Sequence, residues 1–219
     1  MINGGNSPNA LSDFLSRRLV PGAGRLDYLI VAAASEEQLA ALPPLVERFP
    51  PGQVLWSGPV AGEYSARQLR QALTDLRVPI IDAQAGQNLE LGQGARLYVL
   101  AVGPRGAVLL LEWGNFRALL PVGLDFDSMA ALMKDHSLGP VTALLLVDGG
   151  YAPLNPPEWI ERWGLQVALL SVAAGDEQGR PDPQVLQSLQ GRTLLRTDQN
   201  GWIELSTDGE RLWVDVERR

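Results

Sequence analysis

The chain has no cysteine, and its 219 residues include one histidine, His136. Without cysteine there is no disulfide, no thiolate nucleophile, no CxxC redox pair and no Fe–S cluster. A zinc centre draws mainly on His and Cys side chains, and catalytic sites usually take two or three His. A Ser-His-Asp triad would have to use His136, and no GxSxG elbow is present. Ser57-Gly58 and Ser171 follow strand-like segments, but no His stands in a related position. Lysine is nearly missing as well: of the 18 basic residues only Lys134 is not Arg, which we read as coding-sequence composition bias rather than as an anion site. No apolar run approaches the roughly 20 residues of a membrane span. Met1 to Gly5 has neither the basic start nor the apolar core of a signal peptide. The expectation is a soluble piece with no transmembrane segment. The net charge of −7 argues against autonomous nucleic-acid binding. The doublets Arg17-Arg18 and Arg218-Arg219 read as solvated surface.

What is present is an ordinary globular composition, 46% hydrophobic and 20% charged. Strand-like and helix-like segments alternate without a low-complexity linker, which predicts one α/β (α+β) domain over residues 1–219. Leu11, Phe14, Leu15 and Leu19 form a helical stripe after Ser7-Pro8. Leu26–Ala32 reads as a buried strand. Residues 36–49 predict two short helices broken at Pro43-Pro44. Gln53–Trp56 is a strand, Ser65 an N-cap for a helix carrying Leu69, Ala72, Leu73 and Leu76, and Val78–Asp82 another strand.

From residue 86 the pattern becomes a meander: Gln87–Leu91, Ala95–Val102, Ala107–Trp113 and Phe116–Val122. Asp125 or Asp127 caps a helix ending near His136. Val141–Val147 and Val167–Val172 are buried strands flanking a helix opened by Pro156-Pro157, with Trp159, Ile160 and Trp163 on one face. Asp182-Pro183 opens a further helix. The tail reads as strands Thr193–Arg196, Trp202–Ser206 and Arg211–Val216, the last two joined at Asp208-Gly209. Gly92-Gln93-Gly94 and Gly103-Pro104-Arg105-Gly106 join strands and do not open helices, so they are turns and not phosphate loops. His136 near a helix C-terminus fits a favourable dipole contact better than catalysis. Trp113 and Trp202, at strand ends, read as packing or edge cover.

The order of these features resembles the metallo-β-lactamase fold, in the version found at the C-terminus of ComEC-type DNA-internalisation (competence) proteins. The matching stretches are Ile2-Asn3-Gly4-Gly5, Arg25 to Val31, Leu45 to Phe49, and Arg196 to Gly201 with the hairpin that follows. The resemblance implies a four-layer αββα sandwich. It also implies a first strand pair ahead of Ile2, so the chain is expected to be a fragment or a trimmed member. The family's metal ligands are replaced. In its Thr-His-x-Asp-x-Asp-His run, Ala33 and Gln38 stand for the His and Ser35 and Glu37 for the acids. Gly123 falls where the bridging Gly-Asp belongs, Asp148 in the His-His-Gly-Ser run, and Arg180 in the Gly-His-Pro loop.

A methyl group cannot coordinate zinc, and without a metal no water is acidified. The resemblance therefore implies a catalytically inactive domain without zinc, with a scaffold or protein-partner role. It also implies an association with DNA uptake, as the extracytoplasmic part of a membrane protein. The acids Glu37, Asp125, Asp148 and Asp176 leave a second reading: a carboxylate-only site holding Mg²⁺ or Mn²⁺ weakly and hydrolysing phosphodiesters. Arg180 beside these acids would offset their repulsion. A third reading is an unrelated α/β binding domain.

Overall fold

The computed structural model describes residues 1–19, 24–60, 62–135 and 137–218. His136 and Arg219 lie outside the described residues. The chain is a mixed α/β structure and divides into two compact units, residues 1–85 with 102–107, and residues 86–101 with 108–219.

The first unit is built on a three-stranded parallel sheet. Helix α1 (Pro8–Arg18) starts at Ser7, whose hydroxyl accepts from the Ala10 N–H. Leu15 is its buried residue; Phe14 of the expected stripe is instead 50% exposed, beneath the Arg18 guanidinium. Strand β1 (Leu26–Val31) is followed by α2 (Glu36–Leu39) and α3 (Leu42–Arg48). The break between these helices falls at residues 40–41, ahead of the expected position. Pro43 and Pro44 sit inside the first turn of α3, where a missing N–H has no intrahelical partner to lose. Strand β2 (Pro51–Trp56) runs parallel to β1, and β3 (Ile80–Asp82) parallel to β2.

Between β2 and β3, helix α4 (Tyr64–Asp75) buries Ala66, Leu69 and Leu73. Its N-cap is Glu63 and not the expected Ser65, which lies inside the first turn. The helix ends in a Schellman arrangement: Arg77 is left-handed (φ 56), its N–H donates to Thr74 O, and the Val78 N–H donates to Leu73 O. That use of Val78 is why β3 begins two residues later than its apolar run. Leu29, Val31, Leu39, Leu42, Val54, Leu69 and Leu73 form the core of this unit.

The second unit holds a seven-stranded mixed sheet. Strands β4 (Asn88–Gly92), β5 (Ala95–Gly103), β6 (Gly106–Trp113) and β7 (Phe116–Leu120) are the expected meander. The turn between β5 and β6 is counted with the first unit. Helix α5 (Phe126–Lys134), strand β8 (Ala143–Leu145), a 3₁₀ turn (Ala152–Leu154), helix α6 (Pro157–Arg162) and strand β9 (Val167–Leu170) follow. Then come α7 (Pro183–Ser188), β10 (Thr193–Arg196) and α8 (Thr197–Asn200). The sheet order is β10-β9-β8-β7-β6-β5-β4, parallel from β7 to β10. Trp159 and Trp163 are buried in its core as their spacing predicts. Trp113 packs with its indole N–H on Gln93 O at 3.0 Å. Strands β11 (Ile203–Thr207) and β12 (Leu212–Val216) form a separate antiparallel hairpin.

Both β8 and β9 are shorter than their apolar runs. Side chains capture the main chain at their ends: Asn155 Oδ1 accepts from the Val147 N–H, and Thr197 Oγ1 from the Val172 N–H. An N–H so engaged is not available to a neighbouring strand.

Within the first unit the turn after β5 rests on the loop after β1. The Ala107 N–H donates to Ala32 O at 2.7 Å. Gly106 has φ 138, and a Cβ there would stand 2.0 Å from Ala32 O and 2.9 Å from Ala33 Cα. Gly106→Ala is therefore expected to lower stability by more than about 2 kcal/mol in urea unfolding. Gly94→Ala, also at positive φ but with open space around it, serves as the control and should cost only about 1 kcal/mol.

Candidate functional site

Ligand loops in a parallel sheet lie beyond the carboxyl ends of its strands. In the first unit that place is the loop after β1. Ala32, Ala33 and Ala34 are buried there, with 0, 6 and 2% exposure. Their main chain is held by three partners. Asn3 Oδ1 accepts from the Ala32 N–H at 2.8 Å and from the Ala33 N–H at 3.5 Å. Ser57 Oγ donates to Val31 O and Ala32 O. The Ala107 N–H fills the remaining lone pair of Ala32 O. Gly58 closes the far side, since a Cβ on it would lie 3.1 Å from Ala34 Cβ.

Gln38 is part of the same network. Its Oε1 accepts from Asn3 Nδ2 at 2.9 Å, and its carbonyl accepts from the N–H groups of Gly4 and Gly5. Ser35 occupies the N-cap position of α2 without a side-chain bond to the helix, and Glu37 is exposed in the first turn. Glu36, between them, was not among the candidate residues, yet it makes the polar link of this region. Its carboxylate accepts from the N–H and the hydroxyl of Ser65. The residue read as the N-cap of α4 is thus itself held by an acid from α2. These two Ser65 bonds, the hydroxyl's first, hold the Glu36 carboxyl below its ordinary value.

In the second unit Gly123 is buried in the turn after β7. Asp125 is the N-cap of α5, accepting from the Ser128 N–H at 2.8 Å. Its Oδ2 is buried without a hydrogen-bond partner among the described residues. Asp148, in the loop after β8, is left-handed (φ 46). Asp176 and Arg180 are brought to each other and to Asp148 through main-chain atoms. Arg180 Nη1 donates to Asp148 O at 3.2 Å, and the Arg180 N–H donates to Asp176 Oδ1 at 3.1 Å. The Arg180 guanidinium lies 4.1 Å from the centre of the Tyr151 ring, a cation–π contact.

The loop after β8 is gripped by Asn155, 2% exposed, which bonds Val147 at both its N–H and its carbonyl and Tyr151 at its carbonyl. Asp182 does not cap α7 with its side chain, as its place before Pro183 suggests. Its Oδ2 accepts from the Ala152 N–H at 2.7 Å. Among the described residues no three His, Asp or Glu side chains are grouped so as to hold a metal ion. Ala33, Gln38 and Arg180 offer a methyl group, an amide and a guanidinium, none of them a usual metal ligand.

Sequence reasoning missed Asn3, Asn155 and Glu36. Asn3 lay within the matched Ile2-Asn3-Gly4-Gly5 stretch, but nothing in that stretch shows that its partners are residues 32, 33 and 38.

No family model matches the chain, and no curated protein matches its sequence. Solved structures do. The Zn²⁺-bound PqqB of Methylobacterium extorquens matches with TM-score 0.57 at 12% identity, over 89% of this chain and 80% of that one. CmlA, a diiron β-hydroxylase of Streptomyces venezuelae, matches with TM-score 0.55 at 14% identity, over 79% of this chain. The chain spans 44% of the length of CmlA. A protein of Parabacteroides distasonis matches with TM-score 0.51 at 9% identity, over 78% of this chain and 76% of that one. These are metallo-β-lactamase-fold proteins, and this chain shares their fold. No described helix is long and apolar enough to cross a membrane.

The Glu36–Ser65 link sets a pH dependence. Its native carboxyl value is lowered, so its stabilisation is present above the ordinary value of 4.5 and is lost as pH falls through the lowered one. The parent should exceed Glu36→Gln in urea unfolding at neutral pH. That difference should shrink as the pH falls below 4.5 and vanish once the carboxyl is protonated in the folded state as well.

Proposed function

We propose that this chain is a catalytically inactive metallo-β-lactamase-fold domain that holds no zinc and acts as a scaffold or partner-binding element. By its resemblance to ComEC-type domains, we assign it to proteins associated with DNA uptake. One observation carries the reading: the loop after β1 is a packed structural element and not a set of metal donors. Ala33 is buried among alanines, and the Gln38 amide is engaged by Asn3. Fold neighbours named as Zn²⁺-bound and as diiron proteins share the architecture. In the loop after β1 of this chain, Ala33 and Gln38 offer neither an imidazole nor a carboxylate.

The test is direct. Protein made in medium supplemented with zinc, manganese and iron, and analysed by mass spectrometry, should carry well under one metal ion per chain. Titration with millimolar Mn²⁺ should give no binding heat, and a phosphodiester substrate with Mn²⁺ should not turn over. A stoichiometric ion, or Mn²⁺-dependent hydrolysis abolished by Asp148→Asn, would overturn the reading in favour of a carboxylate-only hydrolase.

A further inference from the structure

Asparagine is followed by glycine at Asn3-Gly4 and at Asn200-Gly201. An asparagine amide is thermally labile, and glycine, lacking a Cβ, leaves the next peptide nitrogen open to reach it. At the first pair the Gly4 nitrogen would form a bond to Asn3 Cγ. The Cγ–Nδ2 bond breaks, and Nδ2 leaves as ammonia with the proton of the Gly4 N–H. Water then opens the succinimide at either carbonyl, giving aspartate or isoaspartate.

In the folded first unit both reacting groups are engaged elsewhere. Asn3 is 5% exposed and left-handed (φ 47). Its Oδ1 accepts from the N–H groups of Ala32 and Ala33, and its Nδ2 donates to Gln38 Oε1. The Gly4 N–H donates to Gln38 O at 3.0 Å. Gln38 thus holds the nucleophile with its main chain and the leaving group with its side chain. At the second pair the partners are different: Asn200 Oδ1 accepts from the Arg196 N–H, and the Gly201 N–H donates to Thr197 O.

The two products differ in fit. Aspartate keeps the main chain, and its added oxygen is met by turning the Gln38 amide over. Isoaspartate routes the main chain through Cβ and Cγ and so lengthens it ahead of Gly4. Gly4 has no space to move into, since a Cβ on it would lie 2.5 Å from Leu42 Cδ2 and 3.0 Å from Leu11 Cδ2. The N–H groups of Gly4 and Gly5, which share Gln38 O, cannot both keep their partner on a longer chain.

We propose that Asn3-Gly4 is a latent deamidation site, guarded by Gln38, whose conversion to isoaspartate releases the loop after β1. The reaction needs the Asn3–Gln38 contact to open, so its rate in folded protein reports that opening. The proposal does not depend on the chain being an inactive domain.

Full-length protein is aged at mildly alkaline pH, folded and in urea, and deamidation at positions 3 and 200 is followed by peptide mass analysis. Folded, Asn3 should react at least about tenfold more slowly than in urea. Gln38→Ala removes the bond to Nδ2 and should raise the folded rate at Asn3 about fivefold. It should leave Asn200, and both sites in urea, unaltered. Aged chains that carry isoaspartate at position 3 should exchange the amide hydrogens of Ala32 and Ala33 at least about tenfold faster than the parent or Asn3→Asp. Equal rates at Asn3 in folded protein and in urea overturn the proposal. So does a folded Gln38→Ala that reacts no faster than the parent, and so does unaltered exchange at Ala32 and Ala33 in the isoaspartate chains.

Discussion

Main-chain groups buried beyond the carboxyl ends of parallel strands must find hydrogen-bond partners, because water cannot reach them there. This constraint organises the loops of this chain. Where the sheet ladder stops, a short polar side chain takes over. Asn3 holds the loop after β1, Asn155 the loop after β8, and Thr197 the loop after β9. Asn155 and Thr197 each accept from and donate to the main chain, and Asn3 accepts two main-chain N–H groups while its own N–H group is held by Gln38. Leaving such a buried group unpaired costs on the order of 1–3 kcal/mol. Three such sites are comparable with a large part of the net stability of an ordinary domain.

That solution bears on what the loops do. In the first unit the loop after β1 closes on itself: its three alanines are buried, and the Gln38 amide completes the hold on Asn3. Gly58 and Gly106 supply the close approach that a side chain would forbid. Acids that remain in these loops serve the backbone. Asp125 caps α5, Asp176 accepts N–H groups within its own turn, and Asp182 holds the 3₁₀ turn. In each of these carboxylates one oxygen accepts from main-chain N–H groups, which is a structural role.

The order and type of the elements was legible in the sequence because local apolar periodicity sets it. The meander from Asn88 to Leu120, the Asp208-Gly209 hairpin and the buried Trp159 and Trp163 all follow from spacing and turn residues. Boundaries were less legible, and the reasons are local competitions. Val78 serves the end of α4 instead of the start of β3, and Val147 and Val172 give their N–H groups to Asn155 and Thr197. Ser65 looked like an N-cap because its residue type is favoured there. Its hydroxyl is taken by Glu36, 29 positions earlier in the chain.

Residue types alone determined that this chain has no cysteine chemistry and almost no histidine, and that its meander and helices alternate as they do. Both are properties of composition and of short-range period, which survive in any arrangement of the chain. The tertiary structure decided which polar groups meet. Asn3 reaches Ala32 and Gln38, and Thr197 reaches Val172, across separations of 25 to 35 residues. No local pattern encodes such a pairing, because it depends on where the sheet and the loops carry each segment. The same holds for Asp215, whose place opposite Glu204 was fixed only by the register of the hairpin.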